Sequence, residues 1–284
     1  MEYLDAVLVG IVTFNPDLGR LKDNINAVLV QVKHILIVDN GSDNFEEVNC
    51  LFSDDITIIK NVKNEGIAKA LRQIMEFGNK QGYIWVLTLD QDSIICSSLV
   101  KEYCKYACRN DLQDVGMFTC LIKDRNFNDE KYEKQDTDVL EVPYCITSAA
   151  FTNVKKYFMT EGYDEKFFID AVDFDICYSL REIGYRICRI NLMGLYHEVG
   201  HGENRKFLWK EIVVYNHSSF RIYYMARNIV FMNRKHKKMF PWYMMIKKEL
   251  TLLARILLYE NCKQEKFNQF IKGLKAAWDR TGIV

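Results

Sequence analysis

The sequence predicts an α/β fold: a mostly parallel sheet flanked by helices, with a helical C-terminal extension. Three observations predict it. Over the first 110 residues, apolar runs of strand length alternate with amphipathic helical stripes. The runs are apolar throughout rather than at every second residue, as in strands buried on both faces. From about residue 204 onward, helical spacing of apolar residues dominates.

"AVLVGIVTFN" is a short β-branched run stopped by Asn15-Pro16, and reads as a strand. Leu18, Leu21, Ile25, Val28, Leu29 and Val32 recur three and four residues apart, an amphipathic helix. "HILIVDNGS" is a second strand running into a turn at Asn40-Gly41. "ITIIK" is a third, "GIAKALRQIMEFGNKQ" a helix, "YIWVLTL" a fourth strand and "SSLVKEYCKYAC" a helix. Beyond residue 110 the alternation weakens. "VGMFTCLI" and "DVLEVPYCITSAAF" read as strands on either side of a polar loop at 123–137, and "DFDICYSLREIGYRI" as a helix ended at Gly184.

Composition excludes several function classes. Lys plus Arg and Asp plus Glu both number 38, so no net field points to nucleic acid. Nine cysteines with no CxxC, several inside apolar runs, read as small hydrophobes in a reducing cytoplasm. "MEYLDAVLVG" has no basic leader of the secretory kind, and no run of eighteen apolar residues is present.

In an open α/β sheet, ligands bind beyond the carboxyl ends of the strands. Here those ends are Thr13-Phe14-Asn15, Asp39-Asn40-Gly41-Ser42, Asn61 followed by Asn64-Glu65-Gly66, and Asp90-Gln91-Asp92. Any one of them is also what a helix cap or turn requires. If the strands are parallel, all four share one edge. Asp90 and Asp92 are then paired acids with no obvious basic partner, and a divalent cation resolves their repulsion. Oxygen-only ligands suit Mg²⁺ or Mn²⁺, completed by phosphate oxygens and water. Neither a GxxxxGK[ST] loop nor a GxGxxG fingerprint occurs.

Taken in order, "VTFNP", "IVDNGS", "NEGIAKAL", "LDQDS", "ITSAAF", "FFIDAVDFDICYSLREIGYRI" and "YYMARN" resemble the family-2 inverting glycosyltransferases of the GT-A fold. Within these they are most similar to a bacterial rhamnosyltransferase-like branch, and the likeness runs from about residue 7 to 233. The resemblance implies a catalytic domain at 1–203, with a nucleotide-binding half at 1–110 and an acceptor and base half at 111–203, and an extension at 204–284. It implies that Asp39 reads the nucleobase, that Thr13 and Asn15 line the same pocket, and that Asn64, Gly66 and Asp90 lie against the nucleotide-sugar. Asp90 and Asp92 match the family's DxD motif, which holds Mn²⁺ or Mg²⁺ on the donor diphosphate. Asp173 matches the general base, and His197 a histidine that completes the metal site. The sequence departs from the family at Ser179, where Arg is common, and at Ala149, where Gly is common.

The implied activity is metal-dependent, inverting transfer of rhamnose from dTDP-rhamnose to a glycan or lipid-linked acceptor in surface polysaccharide synthesis. A UDP-hexose donor is the alternative. Two readings of another class are a nucleotidyltransferase, for which "VTFNPDLGR" is a poor triphosphate loop, and a nucleotide-sugar-binding protein without turnover. Read without the resemblance, Asp173 is an acid in the first turn of a helix, where the dipole favours it. "HEVGH" at 197–201 matches the zinc-protease HExxH, but that motif needs a helix, and Gly194, Gly200 and Gly202 disfavour one. In "NRKHKKMFPWYMMIKKELTLLARILLY", basic residues stand beside Phe240, Trp242, Tyr243, Met244 and Met245. Such a helix suits a peripheral membrane contact at the inner face of the plasma membrane, or equally packing on the catalytic domain or in a homodimer.

Overall fold

The computed structural model describes residues 3–51, 56–124, 137–197, 203–207 and 210–279. The apolar run Val7–Thr13 forms β1, followed in the chain by β2 (Ile35–Asp39), β3 (Ile56–Lys60) and β4 (Trp85–Asp90). β1 pairs in parallel with β2 on one side and β4 on the other, and β3 extends the sheet beyond β2. Helices α1 (Leu18–Leu29), α2 (Phe45–Cys50) and α3 (Ile67–Lys80) connect them. Asp17 caps α1 by accepting from the Arg20 amide at 2.9 Å, and Leu21, Ile25 and Val28 form the buried stripe. In α3 the buried stripe is Leu71, Ile74 and Met75.

β5 (Ile94–Ile95), α4 (Leu99–Ala107), β6 (Val115–Asp124), β7 (Val139–Glu141), β8 (Ala150–Asn153), α5 (Val154–Tyr157), α6 (Val172–Glu182) and β9 (Arg186–His197) follow. The strand order is β3-β2-β1-β4-β8-β6-β9-β5, with β7 on β9. β8 enters antiparallel between β4 and β6, β6 and β9 are parallel, and β5 and β7 run antiparallel to β9. The sheet is therefore parallel from β3 to β4 and mixed beyond. Phe151 of β8 stacks between Trp85 (4.7 Å) and Tyr103 (5.0 Å), which fixes the seam between the two halves.

Two segments differ from the sequence reading. "DVLEVPYCITSAAF" is two short strands, not one. Pro143 lacks the N–H a ladder needs, and Ala149 is left-handed at φ 61°, so the chain turns between β7 and β8. The region after 203 opens on an antiparallel hairpin, β10 (Glu203–Phe207) and β11 (Lys210–Val214), before any helix. The β-branched run at its end outweighs the helical spacing. Most of the polar loop read at 123–137 lies outside the described residues, as do Glu198 and His201 of the HExxH match. His197 ends a strand, which removes the helix that motif requires.

All nine cysteines are free. Burial pushes the Cys104 and Cys188 thiols up to about 11 and Cys120 to about 12, so these side chains act as small hydrophobes. No helix of the described residues is long and apolar enough to cross a membrane.

The chain divides into two units. The first comprises 1–166 and 172–198, and the second 167–171 and 199–284. In the second, α7 (Ser219–Lys235), α8 (Trp242–Leu258) and α9 (Lys263–Trp278) pack around Ile222, Ala226, Leu252, Ile256 and Phe270. Gly273 lets α9 press on α7: a Cβ there would meet the Tyr223 carbonyl oxygen at 2.3 Å and Ala226 Cβ at 3.1 Å. On helix propensity alone, Gly273→Ala should stabilise α9 by about 1 kcal/mol. The backbone clash predicts the opposite sign, a lowered thermal midpoint, checked by circular dichroism melts of the two proteins.

Candidate active site at the strand ends

Register brings the polar strand ends together. Thr13 is the partner of Asp39, Val12 of Asp90, and Asp39 of Lys60, so β1 to β4 finish at one edge. Thr13, Asn15, Asp39, Asn64, Gly66, Asp90 and Asp92 all lie at or just beyond it.

Asp39 is fully buried, and its carboxylate is saturated. It accepts from Thr13 Oγ1 (2.9 Å), Ser42 Oγ (2.5 Å), the Ser42 amide (2.9 Å) and the Gly41 amide (3.2 Å). Four donors fill about four lone-pair sites. Asp39 thus holds the β2 turn in shape, and a base edge reaching it would have to displace a donor. Ser42 Oγ also accepts from the Asn15 amide (2.8 Å), and Asn15 Oδ1 accepts from the Asp43 amide (2.7 Å), which ties the β1 end to the β2 turn.

A second network runs through amide side chains. Asn40 donates to Asn64 Oδ1 (3.1 Å) and accepts from Asn61 Nδ2 and the Glu65 amide (3.1 Å each). Asn61 and Gln73 of α3 exchange two bonds, at 3.0 and 2.9 Å. Asn64 accepts from the Gly66 amide at 2.9 Å, and Gly66 enters α3 at φ 86°, with no side chain capping that helix. Its first-turn N–H groups are therefore left for a ligand or water. The sequence marked Asn40 only as a turn residue and Gln73 not at all, because their partners are set by the packing of three separate segments.

Asp90 and Asp92, both half-buried, stand at the end of β4. The Asp90 carbonyl accepts from Asn24 Nδ2 (2.7 Å), and Gln91 Oε1 accepts from the Phe14 amide (2.8 Å), bracing this turn against β1 and α1. An open cavity of about 240 Å³ is lined by Asp17, Arg20, Gln91 and Asp92. Arg20 thus supplies the basic side chain on the cavity that the sequence reading lacked. Two carboxylates with hard oxygen donors fit a cation that draws its remaining ligands from diphosphate and water. No group of three or more His, Cys, Asp or Glu suited to a metal occurs among the described residues. The side chain of His197 lies outside them. Its backbone follows Tyr196, which pairs with Ile94, two residues after Asp92 in the chain.

Asp173 is the second residue of α6, and its Oδ1 accepts from the Phe174 amide at 2.9 Å. Burial raises the phenols of Tyr163 and Tyr178, and the Asp173 charge adds a small part to both rises. Phe174 packs on Tyr144 at 4.5 Å. The 144–149 turn that begins there returns to β4: Thr88 Oγ1 donates to the Thr147 carbonyl (2.6 Å), the Ala149 amide to the Thr88 carbonyl (2.8 Å), and the Asp90 amide to Ser148 Oγ (3.2 Å). One turn therefore joins the DxD strand to the helix of Asp173. Ala149 is fully buried, and its carbonyl accepts from Tyr103 Oη at 2.7 Å, so its left-handed φ belongs to a core turn rather than to a surface that a ligand approaches.

In the second unit, α7 fastens the segment 167–171. Asn228, fully buried, donates Nδ2 to the carbonyls of Phe167 (2.9 Å), Ile169 (2.7 Å) and Asp170 (2.8 Å). Arg221 pairs with Asp170 at 2.9–3.0 Å. Asparagine inside a helix reads as a weak helix former, so only the motif "YYMARN" hinted at this role.

Residues 8–169 match Glycosyl transferase family 2. The chain is 24% identical to the dTDP-rhamnosyl transferase RfbF of Shigella flexneri, over 95% of its own length and 93% of that protein's. Among solved structures it resembles GalNAc-T7 with UDP, GalNAc and Mn²⁺ (TM-score 0.60, 15% identity, 99% of this chain but 57% of that one). It also resembles S. aureus TarS 1-349 with UDP-GlcNAc (TM-score 0.58, 14% identity, 94% of this chain and 81% of that one).

Gly41 is where the two networks touch. It sits at φ +82°, and a Cβ would meet Lys63 backbone atoms at 2.6 and 2.7 Å and the Asn64 amide nitrogen at 2.9 Å. Gly41→Ala is expected to cost roughly 1–3 kcal/mol and to loosen the Asn64–Gly66 turn. Faster amide hydrogen exchange at Glu65 and Gly66 is the measurement that checks it.

Proposed function

Because the chain belongs to glycosyl transferase family 2, and is a glycosyltransferase, we propose that it moves rhamnose from dTDP-rhamnose, with inversion, to a glycan or lipid-linked acceptor of surface polysaccharide. What supports this reading above all is the edge shared by β1 to β4, joined through the 144–149 turn to the helix that carries Asp173. Likeness to a dTDP-rhamnosyl transferase along nearly the whole chain favours that donor.

The nucleoside lies over the Asp39 turn, between Thr13 and Asn15, and Asn64 and Gly66 line the donor's path toward the uncapped end of α3. Asp90 and Asp92, with His197, would hold a Mn²⁺ or Mg²⁺ ion, whose chemistry is to neutralise charge on the donor diphosphate. Arg20, on the same cavity, adds a fixed positive charge. Asp173 accepts the proton of the acceptor hydroxyl, which otherwise is a poor nucleophile. The oxygen attacks the anomeric carbon from the face opposite the nucleotide. The bond from that carbon to the diphosphate breaks, the diphosphate keeps the electron pair, and the configuration inverts.

A UDP-sugar donor is the second reading, favoured by the UDP and UDP-GlcNAc held in solved structures of this fold. Release of nucleoside diphosphate decides between them. It should be fastest with dTDP-rhamnose, lost on chelation and restored by Mn²⁺ or Mg²⁺. Faster turnover of a UDP-hexose would move the donor to that class. Asp173→Asn should lower kcat by about 10²–10⁴-fold, the usual contribution of a general base, with donor affinity unchanged by calorimetry. Normal transfer by that variant would remove Asp173 from the role.

A further inference from the structure

Helix α8 shows two apolar faces, and one of them is exposed within the second unit. Leu252 and Ile256 point inward, with Leu253 packed beside them. On another side Trp242, Tyr243, Ile246, Leu250, Leu257 and Leu258 are each 43–65% exposed. Trp242, Ile246 and Leu250 follow at four-residue steps and Leu257 two turns later, so they form one stripe along the axis. An exposed apolar stripe of this length marks a docking surface.

Charge says what kind. Lys247, Lys248 and Arg255 lie on the polar side of the same helix, and Lys237 and Lys238 are exposed in the turn before it. The one acid of α8, Glu249, stands a turn before Leu252 and Leu253, and its carboxylate oxygens are buried without a hydrogen-bond partner. Burial raises it to about 8, which leaves it neutral at pH 7. The apolar stripe is thus flanked by Lys247, with Lys237 and Lys238 exposed in the turn before it, while the one acid of α8 has its carboxylate buried. A second copy laid symmetrically against it would bring further cations and no exposed acid of α8. Trp242 and Tyr243 stand at one end of the stripe, where rings with an apolar body and a polar tip suit headgroup depth.

We propose that the outward face of α8 docks this protein on an anionic lipid surface, lying in the interface rather than crossing it. The docking deepens the proposed transfer, since a lipid-linked acceptor lies in that plane, but it is measured without any donor or acceptor.

The test is co-sedimentation of the full chain with phosphatidylcholine vesicles, with and without phosphatidylglycerol. The expected result is binding to the anionic vesicles alone, weakening at least ten-fold as salt rises to physiological strength, with a blue shift of tryptophan fluorescence that Trp242→Phe reduces. Ile246→Gln with Leu250→Gln, and separately Lys237→Glu with Lys247→Glu, should each lower binding ten-fold or more while circular dichroism is unchanged. No binding to anionic vesicles at low salt overturns the proposal, as does equal binding to neutral ones. So does a dimer in sedimentation equilibrium that the Ile246 and Leu250 changes dissociate, because the stripe is then a self-interface. Should a variant misfold, the lipid and salt comparison on the unaltered protein still decides.

Discussion

Parallel hydrogen bonding between β1 and its two neighbours is the constraint on which the candidate site depends. A parallel ladder forces neighbouring strands to finish on the same side, so Thr13, Asp39 and Asp90 share an edge without any long loop reaching for them. The antiparallel half contributes differently. β8 runs back alongside β4, so the turn leading into it, 144–149, passes the end of the DxD strand before the chain goes on to α6. A carboxylate pair and a third carboxylate, about eighty residues apart in sequence, are thereby linked through one partly buried turn.

The nucleotide side of the edge is built before any ligand arrives. Burying the Asp39 carboxylate costs several kcal/mol of lost hydration. Four donors, at about 1.5–3 kcal/mol for each bond to a charged group, offset that cost, and they come from three residues, Thr13 at the β1 end and Gly41 and Ser42 at the β2 end. Removing any one leaves an under-satisfied buried charge, so the turn is held in a single shape. The neutral amide network of Asn40, Asn61, Asn64 and Gln73 extends the same rigidity to β3 and α3 without a second buried charge.

Legibility in the sequence followed burial. β1, β2 and β4 are covered on both faces, so each reads as an unbroken apolar run, and their polar ends stand out by contrast. The DxD turn and the Asp39 turn were visible for that reason. What escaped was whatever depends on partners far away in the chain. "DVLEVPYCITSAAF" has enough apolar residues for one strand, and only the fold shows that Ala149 turns it. Gln73 is an ordinary helix residue until Asn61 lies against it. Arg20 reads as a solvated cation of α1 until the β4 turn opens a cavity beside it. The hairpin at 203–214 was lost because a few β-branched residues carry less weight in a window dominated by helical spacing.

The segment 167–171 shows the same dependence at its strongest. Phe168, Asp170 and Ala171 all adopt positive φ, at 59°, 65° and 61°, and none is glycine. Each such residue costs of order 1–3 kcal/mol and persists only where its surroundings over-determine it. Here they do. Arg227 donates to Asn228 Oδ1 at 3.0 and 2.9 Å, which turns the amide NH₂ of Asn228 toward the three carbonyls. Two hydrogens serve three acceptors, so one is shared. Burial pushes the Asp170 carboxyl above its usual range, while the Arg221 guanidinium beside it opposes that rise and keeps an ion pair in reach. Strain concentrated in five residues and balanced by three side chains of one helix is what a chain retains when a local shape matters more than local comfort. The residue after Ala171 is the first of the helix that carries Asp173.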